Sequence, residues 1–174
     1  MTYTIRAAGE GDLDGARHVM LDTFYRDLGH GYVPRWHADV VDPRTAYLAP
    51  ARHALFVAIL DGEVVATTGV RAEGPRCPPH PAWLVERYPS GSTAQLFRVY
   101  VRPEHRRHGL ARALVGEACA FVARAGGYSA IYLHTDTRVP GAEAFWRSQA
   151  KQVHADRDAS PVVHFEIPIR ESPA

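Results

Sequence analysis

Apolar positions along the chain recur with both strand-like and helix-like spacing, which predicts a mixed order of the two elements. Residues 54–60 and 63–70 are apolar runs joined by Asp61-Gly62, a dipeptide typical of two-residue hairpin turns. Further strands are predicted over residues 3–7, 96–101 and 130–135, near Val153, and over residues 162–169. Because only one strand–helix–strand crossover is clear, the pattern favours an α+β or mixed α/β sheet.

Helical spacing appears before the hairpin and after the strand that ends at Val101. The first predicted helix carries an apolar stripe of Leu13, Ala16, Val19, Met20 and Phe24. A short helix over residues 35–41 follows it, and another begins after Pro140. The longest helix starts at Leu110 and stops at Gly126-Gly127, a typical helix end.

Residues 73–93 interrupt this pattern with five prolines, which predicts a long inserted loop. The apolar residues 83–85 in its middle are expected to anchor the loop to the body of the protein. Cys77 and His80 suggest a zinc ligand pair, but no second pair follows, so we expect no metal.

The turn between residue 101 and the longest helix has the features of an anion-binding site. The first amides of a helix lack intrahelical partners and lie at the positive end of its dipole. Gly109 has no Cβ, so an anion can approach the backbone, and Arg106, Arg107 and Arg112 add donors suited to phosphate. A plain strand-to-helix connector with solvated arginines is the alternative for so short a motif. The flanking strand and amphipathic helix favour a pyrophosphate cradle.

The order V-x-V-x-P over residues 99–103, followed by R-x-x-G-x-A over residues 106–111, resembles the acyl-CoA-binding motif of the GCN5-related N-acetyltransferases, the GNAT family. The resemblance extends more weakly over most of the chain. It implies the GNAT-type fold, a central and mostly antiparallel sheet with splayed middle strands, flanked by helices. The splayed strands would end near Val101 and His134 and leave a wedge for pantetheine.

This resemblance implies an enzyme that moves an acetyl group from acetyl-CoA to the primary amine of a small molecule or peptide. Backbone groups of residues 99–101 would pair with the pantetheine arm, and amides of residues 107–112 would hold the pyrophosphate. The implied acetyl-CoA contacts are Val99, Tyr100, Val101, Arg106, Arg107, His108, Gly109, Leu110, Ala111, Arg112 and Trp146. The family's acceptor region would include Tyr32, Trp36 and His37, unless these side chains only pack. Arg98 and Arg102 hint at an acceptor that carries a carboxylate.

The residues for proton transfer are where the chain departs from the family pattern. Gln95 stands where many members place a glutamate base, and Trp146 stands where many place a tyrosine acid. His134, with a suitable intrinsic pKa, Glu73 and Tyr100 are the replacement candidates. A structural role is the alternative for His134. The departures leave open a second function, an acetyl-CoA-binding sensor of weak or no activity.

Length and composition limit the number of domains, the kinds of binding partner and the cellular compartment that we expect. The 174 residues predict one domain, residues 1–174, that contains the inserted loop. A net charge of +1 gives no general attraction to nucleic acid or membrane, so contact of nucleic acid with the arginines of residues 102–112 is disfavoured. Two cysteines make no disulfide framework, and the N-terminal residues lack a signal-peptide pattern, so we expect a cytoplasmic protein. A homodimer is left open.

Overall fold

A computed structural model describes residues 1–170 of the chain, in which strands and helices alternate. The strands are β1 (Thr4–Ala7), β2 (Ala54–Leu60), β3 (Glu63–Arg71), β4 (Thr93–Val101), β5 (Ala130–Asp136), β6 (Lys151–Ala155) and β7 (Val162–Ile167). The α-helices are α1 (Leu13–Asp22), α2 (Ala38–Val41), α3 (Ala82–Arg87), α4 (Leu110–Ala125) and α5 (Ala142–Gln149). Within the described residues, no helix is long and apolar enough to cross a membrane.

The strands follow the order β1-β2-β3-β4-β5-β7-β6 in one sheet. β4 and β5 are parallel, whereas β1 with β2, β2 with β3, β5 with β7 and β6 with β7 are antiparallel. The predicted mixed α/β fold with a mostly antiparallel sheet is therefore confirmed.

The chain forms two compact units. Met1–Arg71 and Phe97–Phe121 make the first, and Ala72–Leu96 with the chain from Val122 onwards makes the second. β4 and α4 each contribute residues to both units. The single domain predicted from chain length stays a prediction.

The first unit is built on the β2–β3 hairpin and α1. Asp61 and Gly62 both have left-handed φ angles, of 50° and 84°, as a hairpin turn of matching twist requires. Leu13, Ala16, Val19 and Met20 of α1 are buried, and the helix packs on β3. The helix continues as a π-helical turn over Thr23–Asp27, which buries Phe24. The hairpin and the predicted stripe of α1 are thus both found.

The second unit contains the proline-rich segment, which is not a plain loop. α3 forms inside it and buries Leu84 fully, and Leu84, Tyr88 and Tyr132 pack in one apolar cluster. Trp83 keeps 43% of its surface exposed. The apolar centre of the segment thus anchors it as predicted, through Leu84 more than Trp83.

The starts of β4 and α2 differ from the predicted positions by three residues each. β4 begins at Thr93 because residues 93–95 pair with Ala130–Tyr132 of β5. α2 spans only four residues. Neither difference was readable from local spacing, since partner strands and neighbouring packing set these ends.

We expect Gly69→Ala to destabilise the protein by about 1–3 kcal/mol, the usual cost of overpacking. A Cβ at Gly69 would lie 2.5 Å from Cε1 of Tyr47, a fully buried ring. Gly116→Ala is the control, because its Cβ would meet no atom within 4 Å and alanine favours the helix by about 1 kcal/mol. Urea denaturation of both variants checks this; equal stabilities would contradict the close packing at Gly69.

Candidate active site

The turn between β4 and α4 contains both extended and left-handed residues. A 3₁₀ turn over Pro103–His105 follows β4, and Arg106 is extended. Arg107 has φ 64° and Gly109 has φ 75°, both left-handed. Successive backbone amides in a turn make a concavity that binds anions, and we call residues 106–112 the nest.

The start of α4 adds further unpartnered amides to this nest. The amide of Ala113 donates to the carbonyl of Gly109 at 3.0 Å, so the amides of Leu110, Ala111 and Arg112 precede the first intrahelical bond. A Cβ at Gly109 would meet no protein atom within 4 Å and would stand in open space. Unpartnered helix-start amides beside such open space suit an anion, for example a pyrophosphate group.

The arginines near the nest divide into two kinds. Arg106 donates from Nε to the carbonyl of Val101 at 3.1 Å and forms an ion pair with Asp27. Arg107 and Arg112 are exposed. Arg106, predicted to bind phosphate directly, therefore has its side chain engaged in bracing the turn, whereas Arg107 and Arg112 point their charge to solvent.

His108 lies in the same turn. Its Nδ1 lies 2.9 Å from the carbonyl oxygen of Arg106 and 3.2 Å from that of His105. The Tyr3 hydroxyl contacts Nδ1 of His105 at 3.1 Å. These contacts support the shape of the turn, which the sequence motif alone did not show.

Arg98 and Arg102 are neutralised by acidic partners. Arg98 donates from Nε and Nη2 to the two carboxylate oxygens of Asp39 at 2.9 and 2.7 Å, and Arg102 pairs with Asp22 at 2.6 Å. Both charges are already paired within the first unit, which weighs against the hint that they attract a carboxylate-bearing acceptor, and that hint stays a prediction. Asp22, Asp27 and Asp39 gave no signal in the sequence.

Asp39 is the most buried of these carboxylates. The Tyr47 hydroxyl donates to it at 2.5 Å, and only 2% of its side chain is exposed. Burial alone would raise the pKa of Asp39, but the hydrogen bonds and charge of Arg98 hold it below its usual value. Burial is the main cause that raises the pKa of the Tyr47 hydroxyl well above its usual value, and the negative charge of Asp39 raises it further. The carboxylate is therefore ionised at neutral pH and Tyr47 is a neutral donor.

The residues of the expected acceptor region behave differently from one another. His37 is 3% exposed, and its ring stacks on Phe24 with centroids 3.9 Å apart. Its Nδ1 accepts from the amide of Val33 at 2.8 Å, and burial followed by the charge of Arg98 lowers its pKa to about 4. His37 therefore packs, while Tyr32 and Trp36 keep 37% and 56% of their surfaces exposed.

Tyr100 and its neighbours lie in the second half of β4. Val99, Tyr100 and Val101 are half-buried, and the Tyr100 ring meets Phe24 edge-on at 5.9 Å. The register of β4 with β5 covers three residue pairs and reaches Gln95 and Tyr132. Both strands continue beyond those residues, as splayed middle strands would require.

A group of histidines forms in the second unit around His134. His134 is exposed, lies opposite His164 in the β5–β7 register, and its ring is 4.6 Å from that of His80. The Tyr132 hydroxyl lies 2.7 Å from Nδ1 of His164 and 3.4 Å from Nδ1 of His134. The sequence indicated His134 but not its neighbours His80 and His164, because these come from the proline-rich segment before α3 and from β7.

Glu73, and the residues at the family's base and acid positions, Gln95 and Trp146, are more enclosed than His134. Glu73 lies 3.5 Å from Nη2 of Arg76. Trp146 is 6% exposed and packs edge-on against Phe145, with the ring planes at 70°, and Gln95 is 5% exposed. In the described part of the chain, no three His, Cys, Asp or Glu side chains are placed to hold a metal ion.

Comparison with known proteins identifies the class. The family model for the GNAT acetyltransferases matches residues 18–150. N-acetyltransferase 8 of Rattus norvegicus is 33% identical over 117 residues, which are 67% of this chain and 47% of that protein. The chain thus spans about half the length of this relative. It belongs to the GNAT acetyltransferase family.

Solved structures show the same fold. An acetyltransferase of the GNAT family from Staphylococcus aureus superposes with a TM-score of 0.72 at 12% identity, covering 96% of this chain and 100% of that one. The structure of yncA from Salmonella typhimurium with its cofactor acetyl-CoA gives a TM-score of 0.67 at 14% identity, covering 100% and 98%. At these identities the likeness concerns the fold.

The pKa of His164 predicts a pH-dependent stability. Burial, then the charges of His80 and His154, lower it to about 4 from 6.5. The folded chain thus binds a proton at His164 less readily than the unfolded chain does. The stability that neutral His164 contributes is therefore fully present above pH 6.5 and is lost as the pH falls toward 4. We expect His164→Asn, which keeps a partner for Tyr132, to reduce this loss by about 2 kcal/mol. Urea denaturation along this pH range measures it.

The control for this experiment is His18→Asn, a change of the same chemistry at an exposed position of α1. It should leave the pH dependence of the unfolding free energy as in the unchanged protein. Equal pH dependence in His164→Asn and His18→Asn would contradict the assignment to His164.

Proposed function

We propose that the chain is an acetyl-CoA-dependent N-acetyltransferase that acetylates a primary amine of a small molecule or peptide. The observation that carries this proposal is the nest at the start of α4, with left-handed Arg107 and Gly109 and unpartnered amides over residues 110–112. Family membership and the similarity to N-acetyltransferase 8 of Rattus norvegicus support it.

The nest would hold the pyrophosphate of acetyl-CoA. Amides of residues 107–112 donate to the phosphate oxygens, and the exposed Arg107 and Arg112 add charge-assisted donors. Arg106 stabilises the turn, because its side chain donates a hydrogen bond to the Val101 carbonyl and forms an ion pair with Asp27. Geometry set before binding lowers the entropic cost of holding the ligand.

The second half of β4 would hold the thioester arm. Backbone groups of Val99, Tyr100 and Val101 pair with the pantetheine amides, and a backbone amide polarises the thioester carbonyl as negative charge develops on its oxygen. The neutral amine attacks the carbonyl carbon, the C–S bond breaks, and the CoA thiolate leaves. Most of the rate enhancement then comes from proximity.

Three proton transfers complete the reaction, and we assign them to His134 and Tyr100. His134 accepts a proton from the acceptor's ammonium group; it is exposed and lies two residues beyond Tyr132, where the register with β4 ends. Tyr100 donates a proton to the leaving thiolate, and the resulting tyrosinate takes the second proton from the nitrogen as the amide forms, which restores the Tyr100 hydroxyl. Glu73, close to Arg76, is the weaker candidate base because its charge is offset.

A sensor that binds acetyl-CoA without turnover is the second candidate function. Its support is Trp146, which is almost fully buried and whose indole supplies no proton at neutral pH. Incubation with acetyl-CoA and a panel of primary amines separates the two functions. Thiol release with formation of an acetylated amine, seen by mass spectrometry, supports the enzyme, and binding without either product supports the sensor.

We expect Gly109→Glu to weaken acetyl-CoA binding at least about 100-fold, because the carboxylate would stand in the anion site and repel phosphate. Gly126→Glu is the matched control: Gly126 has φ 68° against 75° for Gly109, and a Cβ at either meets open space. The two variants thus have similar backbone strain and the same added charge. They differ in position, because Gly109 precedes α4 and Gly126 follows its C-terminal end. Calorimetric titration with acetyl-CoA measures both; equal affinities would overturn the nest as the binding site.

We expect His134→Asn to lower kcat at pH 7 by about 100-fold while leaving the Kd for acetyl-CoA unchanged, because loss of a general base affects proton transfer alone. The acidic limb of the pH profile should flatten as well. His18→Asn, an exposed change on α1, serves as the control. An unchanged kcat and pH profile in His134→Asn would remove His134 from the mechanism.

A further inference from the structure

Arg98 has an unusual backbone for a residue inside a strand. Its φ is 53°, in the left-handed region, where side chains other than glycine are uncommon. The other two non-glycine residues with positive φ in the described chain, Asp61 and Arg107, lie in turns. A conformation of this kind persists only where its surroundings hold it.

Asp39 and its neighbours supply that hold. The guanidinium makes two hydrogen bonds to the Asp39 carboxylate, at 2.9 and 2.7 Å, and a third to the carbonyl of Trp36 at 2.8 Å. The Thr67 hydroxyl donates to the carbonyl oxygen of Arg98 at 2.7 Å. The side chains of Arg98 and Asp39 are only 12% and 2% exposed. The side chain of Arg98 and its backbone carbonyl are therefore both held by hydrogen bonds.

A left-handed residue inside a strand changes the direction of the backbone groups that follow it. The same effect is produced by a β-bulge, which bends its strand and re-aims the residues next to it. Val99, Tyr100 and Val101 come directly after Arg98 in β4. Their amides and carbonyls thus point where the conformation of residue 98 directs them.

We propose that Arg98 and Asp39 are positioning residues, whose buried ion pair holds residue 98 left-handed and so aims the backbone of residues 99–101 at the thioester arm. This inference rests on the proposed function, since it concerns how the same strand holds acetyl-CoA. Stability alone does not explain the pair, because well-packed apolar residues often replace a buried ion pair at no cost.

Two double variants test the inference, Arg98→Gly with Asp39→Asn and Arg98→Val with Asp39→Asn. Both remove the two charges together, so neither leaves a buried unpaired ion, and asparagine keeps an acceptor for Tyr47. They differ in one respect: glycine adopts a positive φ without strain, whereas β-branched valine does not. Circular dichroism and thermal unfolding confirm that both are folded before binding is measured.

The probes are acetyl-CoA and 3′-phosphoadenosine 5′-diphosphate, which carries the pyrophosphate but lacks the pantetheine arm. We expect the glycine double variant to bind acetyl-CoA within about threefold of the unchanged protein, and the valine double variant to bind it at least about tenfold more weakly. Both should bind 3′-phosphoadenosine 5′-diphosphate within about threefold of the unchanged protein, because the nest is untouched.

Three results would overturn the inference. One is equal acetyl-CoA affinity in the two double variants, whether retained or lost, since the conformation of residue 98 would then not matter. Another is an equal loss for both probes in the valine variant, which would mark a general structural defect. A third is no acetyl-CoA binding by the unchanged protein, which alone would also remove the proposed function.

Discussion

The unpartnered amides at the start of α4 are the constraint on which the candidate site depends. A helix must leave its first amides without intrahelical acceptors, and at Gly109, directly before α4, a Cβ would meet no protein atom within 4 Å. Arg107 and Gly109 in the turn before α4 both have left-handed φ angles. The positive end of α4 is thus prepared for an anion by backbone geometry, before any side chain contributes.

Acidic residues decide which arginines contribute to that site. Asp22, Asp27 and Asp39 pair with Arg102, Arg106 and Arg98, so three of the cations around β4 and its turn serve to fix the backbone. Arg107 and Arg112 remain exposed. The arginines of this stretch therefore have two roles: Arg98, Arg102 and Arg106 stabilise the backbone through ion pairs, and Arg107 and Arg112 are the candidate ligand contacts.

The histidine group of the second unit shows how burial changes the chemistry of one residue type. His164 is buried and its pKa falls to about 4, so it stays neutral at physiological pH. Burial also lowers the pKa of His80. His134, in contrast, is exposed on the same face of β5 as Tyr132.

Local patterns in the sequence determined the β2–β3 hairpin, the apolar stripe of α1 and the strand–turn–helix around Gly109, because turn dipeptides and side-chain periodicity act over a few residues. Tertiary structure alone decided the partners of the arginines, since Asp39 and Arg98 lie 59 residues apart in the chain. It also decided that His37 packs and that His80 and His164 surround His134. Which charges are paired, and which histidines are buried, depends on contacts between distant segments that no local pattern encodes.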